Sequence, residues 1–142
     1  MTPLQAYEAI NAALVDGMGS TPIALNDERW RPAVGVAWIR VTIKSLAGRG
    51  LSLGSPGSRR ADRRGVVIVQ AFAPLATADG IAAAMTLAQT AAALLEGRDL
   101  DNPTATAPIT VNCAQADVGP VGIDRGWSQA NAEIPFSFVE IV

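Results

Sequence analysis

Arg63-Arg64-Gly65-Val66-Val67-Ile68-Val69-Gln70-Ala71-Phe72-Ala73-Pro74-Leu75 is the stretch whose reading decides the fold. Its β-branched run predicts a strand over Val66–Ala73. Apolar residues fill both of its faces as far as Gln70, which predicts a central strand covered on both sides. Pro74, which has no N–H to give a ladder, closes it. Thr77 or Asp79 can then cap an alanine-rich helix running to about Glu96, with Gly97 after the last turn. From Ile81 to Leu95 this helix is apolar nearly all round, so it should be buried on more than one side. One side suits the sheet and the other suits another subunit.

Upstream, residues 45–64 hold five glycines and prolines among serines and arginines, with no period. A structureless stretch of that length inside a compact domain is uncommon and usually serves a function or is disordered. It predicts a long, flexible basic hairpin loop that orders against a partner. Before it, Ala37-Trp38-Ile39-Arg40-Val41-Thr42-Ile43-Lys44 alternates as a strand. Ile39, Val41 and Ile43 face the core, while Trp38 beside Arg40 is offered to a neighbouring protein.

Outward to the N-terminus, Thr2-Pro3 begins a helix, with a hydroxyl cap and a proline where its missing N–H costs nothing. Leu4, Tyr7, Ile10 and Leu14 predict its buried face, and Gly17 and Gly19 its end. Ile23-Ala24-Leu25 is a short apolar piece before the polar corner of Asn26 to Pro32. Toward the C-terminus, Arg98–Pro108 reads as a polar connection and Ile109–Ala114 as a strand. Gly119-Pro120 and Gly122 read as a turn. The last strand, Trp127 to Ile141, places Ala130, Ala132, Ile134, Phe136 and Phe138 on one face, with Pro135 marking an edge or a bulge. The class is α+β: a mostly antiparallel sheet packed with two main helices, in a single domain over residues 1–142.

Composition narrows function. The 142 residues are 49% apolar but only 5% aromatic, so the apolar content is small aliphatic side chains. No histidine is present, which removes the usual general base near neutral pH and the commonest transition-metal ligand. One cysteine, Cys113, excludes an intrachain disulfide and suits a reducing compartment. The N-terminus shows no secretory pattern, and the oiliest run is shorter than the roughly 20 residues a membrane span needs. A soluble cytoplasmic product with no membrane partner is expected.

The net charge of −2 hides a segregation. From Lys44 to Gly65 six basic residues stand against Asp62, a local +5, leaving five basic and twelve acidic residues elsewhere, a net −7. A basic segment on an acidic body suits head-to-tail association or docking on an acidic partner.

Candidate chemistry is thin. Asp27-Glu28 sits beside Arg29 and Arg31 as self-neutralising surface charge, and Asp99 and Asp101 lack a third oxygen donor in a metal-loop pattern. Cys113 has no histidine to activate it and reads as a small buried hydrophobe. Ser55 and Ser58 have no base partner, and no G-x-S-x-G elbow exists. No lysine follows the glycines of residues 50–58 in the manner of a phosphate loop. The Arg59–Arg64 cluster could meet phosphates, but no aromatic lies within it to stack bases. No enzyme activity and no cofactor are expected.

In order and spacing these pieces resemble the tail terminator proteins of long-tailed bacteriophages, a family that includes the lambda-type minor tail protein and relatives in prophages and gene-transfer agents. The resemblance rests on the N-terminal helix, on Ile23-Ala24-Leu25-Asn26 with Trp30 and Pro32, and on Trp38-Ile39-Arg40-Val41. It continues through Arg64 to Pro74, the small-residue helix ending Leu94-Leu95-Glu96-Gly97, and Ile134-Pro135-Phe136. The family's glycine-rich turn after the strand-ending proline is replaced here by Leu75-Ala76-Thr77-Ala78, which leaves the start of the second helix open.

The resemblance implies a non-enzymatic, hexameric ring that caps the head-proximal end of a tail tube. It would end tube polymerisation and present the head-joining surface. Its partners would be copies of itself, the tail tube protein, the head–tail connector protein, and DNA passing through the lumen without sequence readout. The place of work would be the virion, assembled in a bacterial host's cytoplasm. The residues expected to meet partners are Arg49, Arg59, Arg60, Arg63, Arg64, Trp30, Trp38 and Arg40. A head–tail connector or tail-completion protein, and a small α+β ligand-binding domain or enzyme, are the alternatives.

Overall fold

A computed structural model describes residues 2–25, 35–50, 57, 59–75, 80–101 and 110–141. Helix α1 spans Pro3–Met18 and helix α2 spans Gly80–Ala93. The strands are β1 (Ile23–Ala24), β2 (Trp38–Gly50), β3 (Arg60–Pro74), β4 (Asp99–Asp101), β5 (Thr110–Cys113), β6 (Asp117–Asp124) and β7 (Trp127–Ile141). They form one sheet in the order β1-β2-β3-β7-β5-β4, with β6 also on β7. Every pairing is antiparallel except β1 with β2. The fold is α+β, as expected.

Alternation along β2, β3 and β7 builds the core. Ile39, Val41 and Ile43 join Val67, Val69, Ala71 and Ala73, then Ala130, Ala132, Ile134, Phe136 and Phe138, on one face of the sheet. Both helices lie on that face. Leu95, Ile134, Ile10 and Leu14 have no exposed surface, each contributing roughly 1.5–3 kcal/mol by burial. α2 packs through Ala84, Ala88, Ala91 and Ala92, whose small side chains let the helix lie close to β3 and β7.

α1 starts as its sequence predicts. The Thr2 hydroxyl accepts from the Gln5 N–H, and the Gln5 side chain accepts from the Thr2 N–H, a reciprocal capping box. Gly19, at φ 62°, ends it in a backbone conformation that costs other residues energy. The buried stripe is Ala6, Ala9, Ile10, Leu14 and Met18. Leu4 is 66% exposed, contrary to expectation. The alanines hold the contact face, because a helix lying close to a neighbour places its smallest side chains there, and Leu4 falls off that stripe in the first turn.

Four other expectations change. β2 and β3 run on into the predicted loop, pairing Leu46 with Arg64, Arg49 with Asp62 and Gly50 with Ala61 across a register shift. The ladder propagates through backbone groups and needs no apolar period. β7 also flanks β3 as far as Arg60–Ile141, which templates the extension. Residues 51–56 and 58 lie outside the described residues.

Asp99–Asp101, expected as connection, is β4, paired with β5. The Gly119-Pro120-Gly122 segment, expected as a turn, lies within β6. There a register shift between Pro120 and Gly122 accommodates the proline and bends the strand.

Pro135 sits on a strand flanked on both sides, not at an edge. Its carbonyl accepts from the Ala114 N–H at 2.8 Å, so its missing N–H points to that same side. There β7 exchanges its neighbour, from β6 at Glu133 to β5 at Phe136, and no donor is needed.

The C-terminal turn of α2 is held by its surroundings. The Gly97 N–H donates to the Ala114 carbonyl at 3.3 Å, and Glu96 Oε2 accepts from the Ala116 N–H at 2.8 Å. The expected start at Thr77 or Asp79 lies outside the described residues.

Candidate interaction surface

Cover on both sides of β3 is another expectation that the single chain does not meet. Both helices occupy one face, and on the other Val66, Ile68 and Gln70 are only half-buried. Register puts Arg40, Gln70 and Asn131 in one row of that open face. Thr42, Ile68, Glu133 and Asp117 form the next, and Lys44, Val66 and Pro135 the one after. The open face therefore has a basic column on β2 (Arg40, Lys44) and an acidic column on β7 and β6 (Glu133, Asp117), all four exposed.

Trp38 is not offered to a partner. It is 4% exposed and, with Phe72, Ala24 and Trp127, forms a second, smaller cluster at one end of the open face. Its ring stacks on Phe72 with centroids 4.2 Å apart, and Trp127 meets it edge-on at 6.1 Å. The Arg40 guanidinium lies 5.3 Å from the Trp38 ring centre and 5.9 Å from that of Phe72. Arg40 thus covers an aromatic stack while staying exposed. Trp30, the other tryptophan expected to meet a partner, is outside the described residues. The Arg49 backbone is in β2.

The arginines gather at the opposite end of the sheet. Arg59 and Arg60 are exposed at the start of β3. Arg63 Nε donates to Glu140 Oε2 at 2.7 Å, and Arg64 Nε donates to Asp62 Oδ2 at 2.9 Å. Such partly exposed pairs are worth about 0–1 kcal/mol each. They orient the guanidinium groups more than they hold the fold. Beside them, where the start of α1 at Pro3 meets the sheet, lies a partly open cavity of about 240 Å³ lined by Ser45, Leu46, Arg63, Arg64, Phe138 and Glu140. Tyr7 reaches its rim, its hydroxyl hydrogen-bonded to that of Ser45.

The outer side of α2 is open in the single chain: Ile81, Ala82, Thr86, Gln89, Thr90 and Ala93 are exposed. Leu75, Val121 and Ile123 are exposed apolar residues at the end of the sheet away from the arginines. The acidic column and the cavity are the features that sequence reasoning missed. Alternation along β7 already placed Glu133 on the face opposite Ile134, so that signal was available. Asp117 became readable only once β6 was known to be a strand.

Cys113 is buried on β5, and burial first, then the nearby Asp99 carboxylate, pushes its thiol up from 9.0 to about 11. This thiol is held protonated and inert. Alkylation at pH 8 is expected to be slow and to accelerate only when denaturant opens the fold, as followed by mass spectrometry. Fast native labelling would contradict the burial. Because the folded pKa is the raised one, the thiol's contribution to stability is complete below pH 9 and fades as pH rises toward 11. Among the described residues no group of three or more His, Cys, Asp or Glu could hold a metal ion, and no helix is long and apolar enough to cross a membrane.

No family model and no curated protein matches the chain. A solved structure whose designation carries no function is similar over 97% of this chain and 96% of its own, with a TM-score of 0.72 at 18% identity. At that identity the likeness speaks for the fold alone. The class is an α+β protein whose long, mostly antiparallel sheet carries both helices on one face.

Proposed function

We propose that this chain is a structural ring subunit of the tail-terminator kind. It caps the head-proximal end of a phage-type tail tube, stops further polymerisation and offers the surface that joins the head. The observation that carries this reading is the polarity of the molecule. Arg59, Arg60, Arg63 and Arg64 gather at one end of a sheet about 50 Å long, with exposed Leu46 among them, while Leu75, Val121 and Ile123 are exposed at the other. Two chemically unlike ends suit a part that stands between two different tiers of a particle. The outer side of α2, with Ile81 exposed, suits packing against a sister subunit. The hexameric count, the tube and connector partners, the DNA in the lumen and the virion location rest on the sequence resemblance. The absence of enzyme chemistry belongs to the same reading.

Simultaneous Arg→Glu replacement at 59, 60, 63 and 64 tests it. The expected product melts as a folded protein, because ion pairs as exposed as Arg63–Glu140 and Arg64–Asp62 are weak, yet caps tails at least about tenfold less often. Electron microscopy of tubes mixed with each protein supplies the count. An Arg→Gln set at the same positions, which adds no repulsion, should show the same direction. Normal capping by both sets would remove the assignment of these arginines, and rings absent from tube ends even with the natural chain would remove the function.

A further inference from the structure

The open face of the sheet carries opposite charges on its two flanks and apolar side chains between them. Arg40 and Lys44 stand on β2, with Thr42 between them on the same face. Glu133 lies on the Thr42–Ile68 row but two strands away, on β7, and Asp117 one strand beyond it, on β6. Two strand spacings are roughly 10 Å. Among the described residues the ion pairs are Arg63–Glu140 and Arg64–Asp62, so neither acid of this face is paired with either of its cations. Between the flanks run half-buried Ile68 and Val66, with exposed Pro135 beside Val66. An apolar centre between polar margins is the layout of a protein interface.

We propose that the occupant of this face is the same face of a second copy, related to the first by a two-fold axis running along β3. Such an axis keeps each row at its own level and exchanges the two flanks, so β7 of one copy lies over β2 of the other. Glu133 then arrives at the Thr42 row, between Arg40 and Lys44, each about 7 Å away along the strand. Symmetry repeats the contact on the other flank. Facing sheets stand about 10 Å apart, a gap that two long side chains bridge. Ile68 and Val66 meet their counterparts near the axis. A two-fold axis across the strands would instead lay Arg40 and Lys44 over their own copies and Glu133 over Glu133, which like charges oppose. The charge columns therefore choose the axis. Arg40 can serve while lying over the Trp38 and Phe72 rings, because a guanidinium on an aromatic face keeps N–H groups for a carboxylate. The face from β2 to β6, about eight residues long, gives roughly 500 Å² of flat area a side, more with side-chain relief, against about 800 Å² per partner in a standard interface. That suits a reversible dimer. Both copies run the same way, so the pair keeps its arginine ends together.

The pairing goes beyond the ring reading and does not depend on it. Sedimentation velocity of the free chain, from about 1 to about 200 μM, is expected to show a reversible dimer. Glu133→Lys sets a cation between two cations in both contacts and should weaken pairing at least about tenfold. Lys44→Glu should weaken it less, because Arg40 remains. Both positions are exposed, so both variants should melt close to the natural protein. An equal mixture of the two, followed through a dye on one of them, should form dimers holding one copy of each. One contact is then natural, and in the other the two replaced residues meet with their signs exchanged. A natural chain that stays monomeric at the highest concentration would overturn the pairing. So would Glu133→Lys chains that pair as well as the natural ones, or a mixture that associates no better than its components. Capping is counted separately on tube ends: the ring reading survives any of these results and falls only when the natural chain leaves the ends bare.

Discussion

Gly65→Ala is expected to destabilise the protein by about 2–3 kcal/mol, with Gly65→Val worse. Gly65 lies mid-strand in β3, between Ser45 of β2 and Phe136 of β7, and the Phe136 ring covers it. A Cβ there would stand 2.4 Å from Phe136 Cζ and 2.5 Å from the Lys44 carbonyl oxygen. The ring could swing aside at a cost in packing. The carbonyl could not, because it belongs to the strand paired with β3. Alanine's better strand propensity recovers well under 1 kcal/mol of that strain.

Urea titration gives the measurement, with Gly119→Ala as the control. Gly119 is also in a strand, and nothing lies within 4 Å of the position its Cβ would take. The control should move by less than about 0.5 kcal/mol. Adding Phe136→Leu to Gly65→Ala should cost less than the sum of the single changes, because one of two clashes is relieved. A Gly65→Ala protein within 0.5 kcal/mol of the original would show that β2 can retreat and that the close approach is slack.

That glycine also shows where sequence reading stopped. Its position beside two arginines made it look like the end of a loop. In the fold it is the point at which one aromatic ring closes the core over the sheet. Strands with an alternating face were legible, so β2 and β7 appear where Ile39-Val41-Ile43 and Ile134-Phe136-Phe138 predicted them, and β3 appears where the apolar run Val66–Ala73 did. The Thr2–Gln5 cap was legible for the same reason: a local interaction has a local signature.

What could not be read were elements made by pairing alone. β4 is three residues, two of them aspartate, and β6 holds two glycines and a proline. The ladder beyond Leu46 is backbone pairing across a register shift, and the sequence there shows no apolar period. Of the interaction surface, the clustering of arginines was visible in the sequence. The cavity beside them was not, because Leu46, Arg63 and Phe138 come from three strands.

The second large effect falls on Trp38, where the sequence pointed to a partner contact and the fold shows a packed side chain. Trp38→Ala is expected to cost about 3–5 kcal/mol, the range for losing a buried large aromatic. Stacking on Phe72 at 4.2 Å and the edge contact with Trp127 are part of that loss. Arg40 would in turn lose one of the two rings it covers. Trp38→Phe keeps a flat ring against Phe72 and should retain more than half of the stability. The two readings of Trp38 separate cleanly by readout. A packed tryptophan lowers the urea midpoint and flattens the near-ultraviolet dichroism of the Trp38–Phe72–Trp127 group in the isolated chain. A partner-facing one leaves both unchanged and weakens only association. An alanine variant that melts like the parent but fails to assemble would return Trp38 to the interface. The opposite result would leave Arg40, lying over the Trp38 and Phe72 rings, as a cation of the open face tied to the core.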